Sequence, residues 1–301
     1  MRKKRLNPKK RTSRSKARKQ VSRLRRFLSA LTVSAVATFS IVSYALNPQL
    51  RDQFSLDLIL SRLDLPRQEQ AAPRVVDSGA RVQTRFVDCP QFFPDGKPPL
   101  IPPGPALREL CFSSFAILHS GKTKTPVFVA QRLNRQILTR TRSVQRTDRF
   151  YTEARLPSSE RAELADYRGS GYSRGHMAPA GDMHNPEAMA QSFSLANMVP
   201  QNQTHNAGAW NRIENDTRKY VMRAKGDVYV FTGPVYASGP KTIGPGRVAV
   251  PTHLYKLVYD ATTGRAWAHW QANSADTRPG PPLSYEEFAR RTGLRLLSSY
   301  R

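Results

Sequence analysis

The chain has 301 residues, 39% hydrophobic and 23% charged, with a formal net charge of +26 at neutral pH. That length suffices for one domain of ordinary size, with residues left for targeting and linking segments. Its two cysteines, Cys89 and Cys111, form no CxxC or Cys/His pattern, which excludes a cysteine-based zinc site.

The charge is unevenly placed. Residues 1–26 hold fourteen Lys or Arg and no acid, residues 27–46 hold no charge, and residues 47–82 balance five Arg against five acids, which leaves +12 on residues 83–301. The 20 uncharged residues 27–46 are long enough to cross a bilayer as a helix behind a basic tail. The positive-inside rule would keep that tail cytoplasmic and translocate the residues after 46. The expectation is therefore an uncleaved membrane anchor with the domain outside the cytoplasm, in a periplasmic space. Ser43-Tyr44-Ala45 has the small-x-small form of a cleavage site, so a cleaved signal and a secreted domain is the rival. A mitochondrial transit segment is also Arg-rich and acid-poor, but residues 1–26 have almost no apolar stripe for an amphipathic face. Residues 47–82 read as a linker and residues 83–301 as the functional domain. Its +12 fits a polyanionic partner, nucleic acid first.

Within the domain, the Pro-rich residues 90–105 lie between the cysteines and read as an irregular loop. If this part is exported, one disulfide clips its base, worth about 3 kcal/mol by chain entropy. Residues 111–119 and 125–133 read as an antiparallel hairpin, 227–232 as a short buried strand, and 253–259 with 266–270 as a second hairpin. Residues 206–224 are the best helix, with Trp210, Ile213, Thr217 and Tyr220 at helical spacing. A short C-terminal helix opens at Tyr285 behind Ser284 as N-cap. The predicted fold is α+β, an antiparallel sheet core with flanking helices.

The densest run of candidate chemistry is residues 171–183, GYSRGHMAPAGDM. A strand ending here would place Arg174 and His176 at a sheet rim, with Gly175 allowing close backbone approach. Histidine suits proton abstraction near neutral pH, and arginine suits phosphate through its donor fork. Further on come Asn197-Met-Val-Pro-Gln201, then Asn206 and Glu214, eight residues apart and about 80° around an ideal helix. Their oxygens are hard donors suited to Mg²⁺. Singly, Asn206 also fits a helix N-cap, and Glu214 an ion pair with Arg218 at i+4.

Together these residues form a pattern: Ser173-Arg174-Gly175-His176, then Leu195-Ala196-Asn197-Met198-Val199-Pro200-Gln201, then Asn206 through Trp210 to Glu214. The pattern resembles the DNA/RNA non-specific endonucleases of the ββα-metal (His-Me finger) class, over roughly residues 110–275. The family hallmark begins with Asp where this chain has Ser173. The resemblance implies a metal-dependent, sequence-non-specific endonuclease that hydrolyses DNA and RNA to 5′-phosphate products. It implies His176 as general base and Asn206 as the one direct protein ligand of Mg²⁺, with Mn²⁺ as an alternative ion. Glu214 would hold the metal's waters, Asn197 would support His176, and Arg174 would steady a phosphate. An upstream arginine takes part in the family; Arg149 is the best match and Arg146 its rival. Homodimers are common in the family. The competing expectation, resting on Ser173, is a membrane-tethered nucleic-acid-binding protein with a weakened site.

Overall fold

The computed structural model describes residues 82–298; the tail, the uncharged segment 27–46 and most of the 47–82 linker lie outside the described residues. Seven antiparallel strands form the central sheet. In chain order they are β1 (Leu107–Cys111), β2 (Ala116–Ser120), β3 (Thr125–Leu133), then β6 (Val228–Val235), β7 (His253–Asp260), β8 (Arg265–Ala272) and β9 (Leu283–Ser284). Between β3 and β6 the chain leaves the sheet to make a separate two-stranded ribbon, β4 (Tyr172–His176) and β5 (Met198–Asn202). The sheet order is β9-β8-β7-β6-β3-β2-β1. The four principal helices are α1 (Arg135–Arg140), α2 (Pro186–Ser192), α3 (Asn211–Val221) and α4 (Tyr285–Thr292).

The period of two along the strands decides which face each residue serves. Leu118, Phe128, Ala130, Phe231, Tyr255 and Leu257 point to one side, where Phe86, Phe93 and Phe288 complete a core beneath the N-terminal segment and α4. Ile117, Val129 and Leu254 point to the other side, against Met177, Phe193, Val199, Trp210 and Ile213. A sheet buried on both faces explains why its central strands carry near-continuous apolar runs. The second face is the one that carries the ribbon and α3, so it positions the chemistry.

The expected hairpins are present, with different joints. Residues 111–119 do not form one strand: Cys111 ends β1, and the chain turns before β2 begins at Ala116. The expected short strand at 227–232 extends to Val235 and lies at the sheet centre between β3 and β7. The helix behind Ser284 runs to Thr292, with the Ser284 hydroxyl accepting from Glu287 N at 3.2 Å. Arg174 and His176 lie on the ribbon rather than at the rim of the main sheet.

Cys89 and Cys111 form a disulfide with Cα atoms 5.8 Å apart. It fastens the N-terminal segment to the edge strand β1, and the Glu109 carboxylate accepts from Arg85 N and Phe86 N at 2.8 and 2.7 Å beside it. The residues between the cysteines make two short helical turns and the strand pair of Leu100–Ile101 with Val82–Gln83.

Gly175 faces the side chain of Gln201, and a Cβ there would lie 2.1 Å from Gln201 Oε1 and 2.6 Å from its Cβ. The two strands of the ribbon reach their register only because residue 175 has no side chain. Gly175→Ala is expected to cost about 1–3 kcal/mol through overpacking. Gly208→Ala, in a helical turn with open space around it, is expected to stabilise by about 0.5–1 kcal/mol. Urea unfolding of the two variants checks both signs.

Candidate active site

The ribbon is the base of the site. Its register pairs Arg174 with Pro200 and His176 with Met198. Arg174 and His176 therefore share one face of β4, opposite the face that Gly175 presents to Gln201. Two aromatic rings line the His176 face. Phe193 meets the imidazole edge-on at 5.0 Å and Phe150 lies 5.8 Å away. The Arg174 guanidinium stacks on Phe150 at 4.0 Å, and Arg146 lies 5.1 Å from the Phe193 centroid. The imidazole is half-buried, with Nε2 inaccessible and without a hydrogen-bond partner. Burial, with Arg146 and Arg174 adding to it, pushes the His176 pKa down to about 3. The ring is a neutral base at neutral pH.

Asn197 is fully buried and holds the chain just beyond His176. Its Oδ1 accepts from Ala178 N at 2.8 Å, while its Nδ2 donates to Ala178 O at 2.9 Å and to Ser192 O at 2.8 Å. Its backbone carbonyl accepts from Met177 N at 3.0 Å. Asn273 ties the other strand down: its Oδ1 accepts from Asn202 N, and its Nδ2 donates to Pro200 O and Pro251 O.

β5 runs directly into a helical stretch made of a turn at Gln203–His205, a π turn at Asn206–Trp210, and α3. Strand, strand and helix together make a ββα unit. The N-cap is Asn202, whose side chain accepts from His205 N at 3.1 Å. Asn206 is therefore no cap, and its half-buried carboxamide makes no hydrogen bond among the described residues. The π turn also changes the expected geometry. It absorbs about one extra residue, so the Asn206–Glu214 spacing acts as seven residues, about 20° from one helical face rather than about 80°.

Glu214 does not pair with Arg218 as its i+4 spacing suggested. Arg218 donates to Asp182 Oδ1 at 2.8 Å and to Asn215 Oδ1 at 2.9 Å. The Asp182 bond joins α3 to the turn after His176. Burial raises the Glu214 pKa to about 7, Lys256 opposes this, and Asp182 reinforces it. Lys256, fully buried on β7, donates to Thr232 Oγ1 at 2.8 Å and lies 5.5 Å from the Trp210 ring. The buried Trp210 indole Nε1 faces Glu214 and favours its carboxylate form.

Of the two upstream arginines, Arg146 is the one beside His176; Arg149 is exposed at the end of the same stretch. Ser173 pairs with Gln201 across the ribbon. Sequence reasoning missed Phe150, Phe193, Asp182, Lys256 and Asn273. Asp182 alone stood inside the singled-out run, and nothing in local spacing marks the other four. Among the described residues no group of three His, Cys, Asp or Glu is arranged to hold a metal. The donors that do suit an ion are the free Asn206 carbonyl and the Glu214 carboxylate on one helical face. Two hard oxygens fit a hydrated Mg²⁺-type ion and not a soft one.

The ribbon, the helix after it and the neutral histidine on its face define a ββα-metal nuclease fold. The chain belongs to the DNA/RNA non-specific endonuclease family, whose model matches residues 102–296. It is 40% identical over 162 residues to "Nuclease EXOG, mitochondrial" of Xenopus laevis, covering 49% of this chain and 44% of that one. It is 34% identical over 174 residues to human "Endonuclease G, mitochondrial", covering 54% and 58%. A solved structure titled as an EndoG/EndoGI complex, with mechanism of EndoG inhibition, superposes with a TM-score of 0.57 at 28% identity, covering 62% of this chain and 84% of that chain. The chain spans less than half the length of the Xenopus relative.

The comparisons correct the expected location. Relatives from frog, fission yeast and human are all named as mitochondrial nucleases, which overturns the reading of an exported, membrane-anchored periplasmic domain. No helix among the described residues is long and apolar enough to cross a membrane, and residues 27–46 lie outside them. The fold brings Cys89 and Cys111 together with Cα atoms 5.8 Å apart, within disulfide reach.

The depressed His176 pKa has a measurable sign. Between about pH 6.5 and 3 the unfolded chain binds a proton that the folded ring refuses, so this group's share of stability is lost as pH falls through that window. Nitrogen-15 spectra of the His176 ring are expected to stay those of a neutral imidazole at pH 5. An imidazolium spectrum at that pH would contradict the buried environment.

Proposed function

We propose that the chain is a metal-dependent, sequence-non-specific endonuclease that hydrolyses phosphodiester bonds of DNA and RNA and leaves 5′ phosphates. The observation that carries this reading is the neutral His176, its Nε2 unpartnered, between two aromatics and beside two arginines. The ring is neutral near pH 7, the form a general base must have before it takes a proton. Arg174 and Arg146 offer donor forks on the same face for the non-bridging phosphate oxygens, and Arg149 extends that surface. Asn197 positions the histidine by fixing residues 177–178. Asn206 would hold Mg²⁺ or Mn²⁺ directly and Glu214 would hold it through water, with Lys256 and Arg218 favouring the Glu214 carboxylate form. The bound ion supplies charge stabilisation at the phosphate and the leaving 3′ oxygen. A site that meets phosphate and sugar and not base edges has little sequence preference. Residues 83–301 make up the nuclease domain in this reading.

His176→Ala is expected to lower turnover on plasmid DNA and on RNA by about 10²–10⁴ with folding intact. Asn206→Ala is expected to raise the Mg²⁺ concentration needed for half-maximal cleavage. A native chain that binds DNA but leaves it uncut at every Mg²⁺ concentration would instead indicate a nucleic-acid-binding protein with an inactive site.

A further inference from the structure

A cleft of about 550 Å³ lies at the far end of α3, between the start of α1 and residues 223–227. Arg135, Gln136, Arg223 and Lys225 line it, and all four are exposed. Its one acid, Asp227, is engaged: Asn134 Nδ2 donates to it at 2.8 Å and Arg132 lies 3.6 Å away. The cleft therefore presents net positive charge. Arg135 is held in place by its Nε, which donates to the Met222 carbonyl at 2.8 Å.

The cleft is joined to the active site by a basic stretch of chain. From Arg135 the sequence carries Arg140, Arg142, Arg146 and Arg149, against the single acid Asp148. All five arginines are exposed, and Asp148 is bonded to Arg146. The stretch starts in the cleft, packs along α3 through Leu138 against Val221, and ends with Arg146 over Phe193, the ring that meets His176. Glu214 and Arg223 are nine residues apart, about 13 Å along a helix. At 3.4 Å of axial rise per nucleotide, that is about four nucleotides of one strand.

We propose that this cleft is a second phosphate site, which takes the polynucleotide backbone about four nucleotides from the scissile bond, with the 135–149 arginines tracking the strand between. The proposal rests on the nuclease reading and deepens it: the preferred substrate is a strand long enough to reach both sites, and not a dinucleotide. The contacts are to phosphate, so they favour length without favouring sequence. Arg223 and Lys225 make no side-chain hydrogen bond among the described residues, so their removal leaves the fold intact.

The test compares the native full chain with Arg223→Ala/Lys225→Ala. The basic tail is common to both, so the difference between them isolates the cleft. Cleavage is measured on duplexes of about 4, 8 and 20 base pairs, together with the salt slope of binding to the longest with Ca²⁺ replacing Mg²⁺. The native chain is expected to gain kcat/KM as length passes the reach of the cleft. The variant should match it on the shortest duplex, lose at least about five-fold on the longest, and show a salt slope shallower by about two contacts. Equal length dependence and equal slopes would overturn the proposal. If the native chain cut none of the duplexes, the nuclease reading would fail, and the salt slopes would still decide whether the cleft binds phosphate.

Discussion

The buried carboxamide of Asn197 is the interaction on which the site depends. It bonds both the amide and the carbonyl of Ala178 and reaches the Ser192 carbonyl at the end of α2. One side chain thus ties the segment after His176 to the helix whose C-cap residue, Phe193, packs on the imidazole. Every polar atom of the amide is satisfied in a buried position, where an unpaired one would be costly. A smaller or apolar residue here would leave backbone groups unpaired and release the ring from its aromatic walls at the same time. The planar amide carries an acceptor oxygen and two N–H donors on one group, which matches the three bonds made here.

From that clamp the electrostatics follow. Burial disfavours the charged form of His176, and the two arginines on the same face reinforce it. On the helical side the balance is reversed. Glu214 is pushed toward its protonated form by burial and by Asp182, and Lys256 and Arg218 pull it back. Burial lowers the pKa of Lys256, the charges of Glu214 and Asp182 raise it, and its ammonium donates to Thr232 and lies by the Trp210 ring. His176 is thus held neutral, while the Glu214 carboxyl is held near the boundary between its protonated and ionised forms.

Much of this was legible in the sequence, and the misses have physical causes. The order from Arg174-Gly-His176 through Asn197 to Asn206 and Glu214 survives as a ribbon followed by a helix, because strand and helix periods are local properties. The π turn was invisible, since its extra residue leaves no mark in an apolar pattern that Trp210, Ile213 and Thr217 satisfy either way. Asn206 fitted an N-cap in the sequence, but the cap is Asn202, four residues earlier, whose side chain accepts from His205 N. Spacing ranked Arg149 above Arg146, but what brings Arg146 beside His176 is Phe193, more than forty residues away. Lys256 and Asn273 come from strands far along the chain and reach the site only through the sheet order. Location was misread for a different reason: a basic run before an uncharged segment is shared by several targeting classes, and no fold physics separates them.

Whether neutral His176 and the Asn206–Glu214 face of the helix frame one metal-dependent site is tested most directly by a paramagnetic measurement. Mn²⁺ is titrated into the chain and the ring resonances of His176 are monitored, with Asn206→Ala as the comparison. A shared site predicts selective broadening of His176 in the native chain at low Mn²⁺, with His119, buried on β2, unaffected, and a shift of the effect to higher Mn²⁺ in the variant. Broadening that spares His176, or that is the same in Asn206→Ala, would contradict it.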